Sequence, residues 1–220
     1  MITAYLTTTL TIHRIFVDIV SYPDAAALLQ ELRQEADITF PMLPSSPIAL
    51  RSMVHTDCVI RESLRAHNMA AHGLSRKVVQ PGGITTPDGL YLPQGCRVAT
   101  FQADLFDESM DYDPRRWYKQ ALADAEDGGA GKQRMAVDLS EQTLAFGRGK
   151  HACPGRFFAV QNIKLMLGWL VTNFDFEPVT EPIKFRMVGE LELVPSKLRF
   201  NVRRRKNDET AEPLPENSMA

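Results

Sequence analysis

Apolar side chains recur at helical spacing along the first third of the chain. Between residues 2 and 21, positions such as Leu6, Leu10, Ile15 and Ile19 follow one another at roughly one per helical turn, which predicts an amphipathic helix. Two further helices are predicted over 25–35 and 48–66. Asp24 precedes the first of these two and can act as its N-cap.

The pattern changes after residue 66. Short β-branched segments at 75–79, 84–85 and 97–100 are separated by turns rich in Pro and Gly, which predicts a small meandering sheet. Residues 106–140 are rich in Asp, Gly and Pro. We expect this stretch to be irregular and to be held in place by contacts with the rest of the domain.

The last third of the chain contains the strongest helical pattern, a predicted helix over 157–174 with one apolar stripe. Partial alternation over 184–205 predicts a hairpin that turns near 195–196. Polar residues 206–220 predict a disordered tail. The fold class that follows is mainly α with a small β region.

Charge and cysteine content exclude several classes of protein. The net charge is −2, from 25 basic and 27 acidic residues, so nothing indicates a nucleic-acid partner. The three cysteines are far apart and odd in number, which argues against a disulfide framework. His13, Arg14 and Asp18 interrupt the apolar first helix, so we expect no transmembrane segment. The chain opens inside a helix pattern without an N-cap, which predicts a missing front half.

Cys153 lies in a glycine-rich run, 146–155, directly ahead of the last predicted helix. The glycines let the backbone turn tightly, and the N-terminus of the following helix favours a thiolate. The run is therefore a candidate metal–thiolate site. A zinc site shared with His151 would need a second ligand pair nearby, which the sequence does not supply. A Cys153 nucleophile with His151 as its base would need both side chains together, which their spacing disfavours.

The pattern Phe146-x-x-Gly149-x-x-x-Cys153-x-Gly155 resembles the haem-binding signature of the cytochrome P450 monooxygenases. The resemblance implies heme b as cofactor, with the Cys153 thiolate as the ligand of its iron. It also implies that the other side chains and glycines of the run bind the cofactor, namely Phe146, Arg148, Gly149, His151 and Gly155.

Glu62 and Arg65 share one face of the third predicted helix and can pair, as many ordinary surface residues do. The stretch 114–117, Pro-Arg-Arg-Trp, resembles the place where the family supplies a third member, here Arg116. The resemblance implies a structural triad of Glu62, Arg65 and Arg116 that supports the haem loop.

The stretch 4–8, Ala-Tyr-Leu-Thr-Thr, resembles the oxygen-activation segment of the family's long distal helix. Thr7 and Thr8 are therefore the candidate catalytic residues, although threonines on a buried helix are the structural alternative. Leu6 stands where an acidic residue is usual, so proton delivery would need another group or water. His67, His72 and the 187–190 segment are candidate substrate contacts or ordinary loop residues.

The resemblance covers residues 2–205 and looks most like fungal enzymes of secondary metabolism. It implies a truncated chain, with 1–205 as the C-terminal portion of a cytochrome P450 domain. The implied reaction inserts one oxygen atom of O₂ into a small organic substrate. Electrons would come from NADPH–cytochrome P450 reductase, so NADPH would act only indirectly. The family's location is the endoplasmic reticulum membrane, reached through an N-terminal anchor that this chain lacks. The alternative is a non-catalytic remnant that binds haem weakly or not at all.

Overall fold

The computed structural model describes residues 2–40, 46–68, 70–101, 111–126, 135–140, 143–181, 183–189, 191–195 and 197–205. Within them the chain is helix-rich with small sheets, and this part of the predicted fold class is confirmed. The helices are α1 Ile2–Val20, α2 Ala25–Thr39, α3 Pro47–Ser52, α4 Val54–Ala66, α5 Arg116–Glu126 and α6 Arg156–Asn173. The strands are β1 His72–Lys77, β2 Ile84–Thr85, β3 Tyr91–Leu92, β4 Arg97–Phe101, β5 Phe174–Phe176, β6 Arg186–Val188, β7 Leu191–Leu193 and β8 Val202–Arg204.

The first two helices follow the sequence prediction closely. Helix α1 ends just before Pro23, which lacks the N–H that a continuing helix would need. Asp24 occupies the N-cap position of α2, but its side chain makes no cap hydrogen bond. Its Oδ2 instead lies 3.4 Å from Nη2 of Arg115, so the predicted capping role is wrong.

The third predicted helix is two helices, because the backbone of Met53 leaves the helical region at φ −75° and ψ 77°. Ser46 caps α3 with its hydroxyl oxygen. Helix α4 is capped from another element. The carboxylate of Glu35, on α2, accepts hydrogen bonds from the backbone N–H of His55 at 2.7 Å and of Thr56 at 2.9 Å. This tertiary cap fixes the start of α4 against α2.

The strands form four separate antiparallel pairs: β1 with β4, β2 with β3, β5 with β8, and β6 with β7. The predicted meander is therefore two ladders and not one continuous sheet. The chain turns at Pro195, whose carbonyl accepts the N–H of Leu198 at 3.1 Å, but the predicted hairpin there is wrong. Strand β7 pairs with β6 across Gly189, whose φ is +62°, and β8 pairs with β5. Helix α5 lies inside the stretch predicted to be irregular.

The core lies where α1, α2, α4 and α6 meet. Helix α6 buries Val160, Ile163, Leu167 and Val171 there, whereas Met166, from the predicted stripe, is exposed. None of the helices in the described ranges combines the length and the apolar character that crossing a bilayer requires. The tail prediction for 206–220 lies outside the described residues.

Candidate functional site

The Cys153 loop, residues 143–155, leads into α6 through two tight turns. Gly147 and Gly149 adopt φ of +68° and +61°, a backbone region that strains other residues. The N–H of Cys153 donates to the carbonyl of Phe146 at 2.8 Å, which closes the loop on itself. Cys153 is a free, exposed cysteine. The fold thus presents one thiol on a backbone that local hydrogen bonds hold.

A cavity of about 210 Å³ lies between this loop, α1 and the end of α4. Apolar groups contribute most of its wall, and three threonines of α1 are among the lining residues. Its lining residues are Thr7, Thr8, Thr11, Arg14, Ile15, Ser63, Leu64, His67, Asn68, Ala145, Phe146, Cys153, Gly155, Phe158, Ala159 and Ile163.

The cavity brings together residues that the sequence places almost 150 positions apart. Thr7 and Thr8, from α1, line the same space as Phe146, Cys153 and Gly155. The remaining residues predicted to bind the cofactor are placed differently. They are exposed and are not among the lining residues: Arg148, Gly149 and His151.

Glu62, the most buried acid of α4, has an exposed fraction of 0%. Its carboxylate accepts from Arg65 at 2.8 and 3.0 Å and from Nε of Arg116 at 3.2 Å. The backbone N–H of Asp113 donates to it at 3.0 Å. These contacts join α4 to the segment that begins α5, so the structure places the three predicted triad residues around one carboxylate.

The far end of the cavity is polar. Nδ1 of His67 lies 3.0 Å from Oδ1 of the buried Asp18, and the imidazole stacks on the ring of Tyr112. Arg14 also contacts Asp18 and reaches Glu192 on β7 at 2.6 Å. Burial raises the pKa of the Tyr112 hydroxyl well above its usual value, and the Asp18 carboxylate adds to that shift.

The other predicted substrate contacts lie away from this cavity. His72 belongs to β1 and packs beside Phe101, its pairing partner on β4. Met187 lies in β6, where it is exposed. Neither is among the residues that line the cavity.

Sequence reasoning missed a second buried ion pair, which joins α4 to α6. Nζ of Lys164 lies 2.7 Å from Oδ1 of Asp57, and both side chains are almost fully buried, with exposed fractions of 3% and 2%. The only hint in the sequence is a charged residue at an apolar position of each helix pattern. Such a hint predicts a partner but does not identify it.

Comparisons with known proteins identify the family of the chain. The sequence profile of the cytochrome P450 family matches residues 1–202. The chain is 33% identical over 205 residues to the cytochrome P450 monooxygenase fsoD of Humicola fuscoatra, covering 87% of this chain and 38% of that protein. It is 33% identical to polB of Polytolypa hystricis and 31% identical to pbrC of Penicillium brasilianum, both named cytochrome P450 monooxygenases. This chain covers 39% of each of these two proteins, so it spans about two fifths of the length of such relatives. The chain belongs to the cytochrome P450 family.

Proposed function

We propose that this chain binds heme b through Cys153 and acts in a cytochrome P450 monooxygenase that inserts one oxygen atom of O₂ into a small organic substrate. The fungal relatives and the amino-acid sequence of the Cys153 loop favour a substrate from secondary-metabolite biosynthesis. One observation carries the proposal. Cys153 and the threonines Thr7 and Thr8 line a single, mainly apolar cavity.

The residues of the cavity fit a thiolate-ligated haem. A cysteine thiolate is a soft ligand that suits iron, and Cys153 is neither disulfide-bonded nor buried. Apolar groups around it, including Phe146, Ala159 and Ile163, suit the faces of a macrocycle. Arg148 and His151 are exposed on the same loop and can bind carboxylates at its edge.

When bound, the haem supplies the activation of O₂, and the chain supplies ligation, orientation and protons. Cys153 would hold the iron, and Thr7 and Thr8, which line the same cavity, would hold a proton donor. Leu6 cannot donate a proton, so water or a more distant polar group must do so. The buried pair of Glu62 and Arg65, with the partly exposed Arg116, would keep the support of the Cys153 loop fixed.

The redox partner, the substrate class and the location are inferred from the family alone. It implies a redox partner and an organic substrate, for which we propose NADPH–cytochrome P450 reductase and a small secondary metabolite. We assign residues 1–205 to the C-terminal portion of a cytochrome P450 domain and propose that the whole protein works at the endoplasmic reticulum membrane.

The test is the spectrum of the purified, haem-reconstituted chain after reduction and carbon monoxide binding. We expect a thiolate-type Soret band for the wild type and for Cys96→Ala, a matched control that removes a different accessible thiol. The band should be absent in Cys153→Ala.

The alternative function is a non-catalytic chain that binds haem weakly or not at all. It is favoured by the exposure of Phe158, which is 66% exposed although it lines the cavity. An open wall admits water to the site. Failure of the wild-type chain to take up haem would support this alternative and would contradict the proposed enzyme.

A further inference from the structure

The buried pair of Asp57 and Lys164 has a third partner that a simple ion pair does not need. Lys164 contacts Oδ1 of Asp57, while Oδ2 accepts the backbone N–H of Ala136 at 2.7 Å. Lys164 also donates to the carbonyl of Leu50, on α3, at 3.0 Å. The pair therefore joins α3, α4 and α6 to the segment that precedes the Cys153 loop.

Ala136 belongs to a tight turn, residues 135–138, which we call the support turn. The N–H of Asp138 donates to the carbonyl of Met135 at 2.9 Å, and the N–H of Met135 donates back to the Asp138 carboxylate at 2.8 Å. These bonds hold the turn internally. Two features join it to the core: the buried bond from Ala136 to Asp57, and the apolar packing of Ala136 and Val137.

Arg156, in the first turn of α6, connects the support turn to the thiol. Its Nε donates to the carbonyl of Val137 at 3.0 Å, and its Nη1 donates to the carbonyl of Cys153 at 3.0 Å. The planar, forked guanidinium holds both acceptors in a fixed geometry, which a lysine could not reproduce.

We propose that Asp57 and Arg156 are positioning residues for Cys153, and that Lys164 balances the buried charge of Asp57. The carboxylate of Asp57 holds the support turn, and Arg156 connects that turn to the carbonyl of Cys153. This inference rests on the proposed haem ligation for its functional meaning, although the positioning itself concerns the protein alone.

Burial of two charges is a costly way to join two helices. Apolar side chains of similar volume often stabilise a core as well or better. What they cannot do is accept the N–H of Ala136, because only an oxygen at position 57 can satisfy that buried donor. The pair therefore does more than stabilise the core, because Asp57 also holds the support turn. This second role can be tested separately from stability.

Two double variants separate these roles. Asp57→Asn/Lys164→Met removes both charges but leaves an amide oxygen that can accept from Ala136. Asp57→Leu/Lys164→Met removes the charges and the acceptor together. We expect both haem-free chains to fold. The first should keep amide hydrogen exchange at Ala136 and Cys153 within about threefold of wild type, whereas the second should speed it by about tenfold or more relative to the core of α1.

Arg156→Met tests the second link without touching the buried pair. We expect Ala136 to stay protected while the amide of Cys153 exchanges about tenfold faster, because only the connection to the thiol loop is lost. In the haem-reconstituted chains, the thiolate-type fraction of the carbon monoxide spectrum should fall in Arg156→Met and Asp57→Leu/Lys164→Met. It should not fall in Asp57→Asn/Lys164→Met.

Equal exchange at Ala136 and Cys153 in the two double variants would overturn the proposal, as would full protection of Cys153 in Arg156→Met. Asp57→Leu/Lys164→Met could fail to fold while Asp57→Asn/Lys164→Met folds. The bond between Ala136 and Asp57 would then be needed for folding of the whole chain, which also counts against the proposal. If the wild-type chain binds no haem, the proposed function fails, but hydrogen exchange still decides whether these residues position Cys153.

Discussion

Helix α4 and the Cys153 loop hold their polar groups in opposite ways. In α4 the charged side chains of Asp57, Glu62 and Arg65 are buried, and each one contacts a partner of opposite charge. In the loop, Cys153 and His151 are exposed, and backbone hydrogen bonds hold the chain around them.

The difference separates stability from ligand binding. A buried charge is tolerated only when it is paired and hydrogen-bonded, so the network of α4 must form whenever the chain folds. The exposed thiol adds little to folding and stays available to an incoming cofactor. Substitutions in the two regions should therefore change different measured quantities, and each of the following variants tests that separation.

The largest effect is expected for Glu62→Ala, which removes the carboxylate that the buried Arg65 contacts and also a contact of Arg116. Breaking a buried pair in this way costs about 3–5 kcal/mol of the free energy of unfolding, measured by urea denaturation of the haem-free chain. Glu31→Ala is the matched control. It breaks the contact of a partly exposed glutamate with Arg115 and should cost about 0–1 kcal/mol. Similar losses in both variants would contradict the central role of the buried network.

Two glycines on α6 and at its start give the second test. A methyl group at Gly168 would collide with the ring of Phe40 and approach Cε of Met53 at 3.2 Å. Gly168→Ala should therefore cost about 1–3 kcal/mol of unfolding free energy through overpacking.

Gly155→Ala is its counterpart in the loop. The nearest atom to an added methyl is Sγ of Cys153 at 3.9 Å, an ordinary contact, so stability should stay within about 0.5 kcal/mol. Because Gly155 lines the cavity, we expect the thiolate-type haem signal to fall instead. If Gly168→Ala were as stable as wild type, or if Gly155→Ala were clearly destabilised, the expected difference between the core and the Cys153 loop would be contradicted.

The tight turns of the Cys153 loop could be predicted from the sequence, whereas the ion pair of Asp57 and Lys164 could not. The residues around Cys153 are neighbours along the chain, so their types and spacing describe the local geometry directly. The partner of Lys164 is Asp57, more than a hundred positions earlier, and only the packing of α4 on α6 selects it. A pattern of apolar positions indicates that both side chains face the core, but not that they meet.

Two local features were missed. Helix α5 is amphipathic, but it lies in a stretch rich in Asp, Gly and Pro, and that composition favoured the prediction of an irregular segment. The break between α3 and α4 falls at Met53, where neither Pro nor Gly marks it. Here the tertiary cap from Glu35 sets the start of α4, and no local rule predicts such a cap.

The smallest effect is expected where the network of α4 reaches solvent. Burial alone would raise the pKa of Asp113, but hydrogen bonds from Lys119 and from the N–H of Arg115 outweigh it and hold that pKa below 3.8. A lowered pKa in the folded chain means that the carboxylate stabilises the fold above about pH 4 and loses this effect as the pH falls through the folded value.

Asp113→Asn should therefore flatten the acid limb of a plot of unfolding free energy against pH and cost at most about 1 kcal/mol at pH 7, because Lys119 is largely exposed. Lys119→Ala removes the same bond from the other side and should produce a similar loss, and the double variant should lose little more than either single one. Additive losses would mean that the two residues act separately. A loss approaching that of Glu62→Ala would mean that Asp113 belongs to the buried network, since its N–H already donates to Glu62.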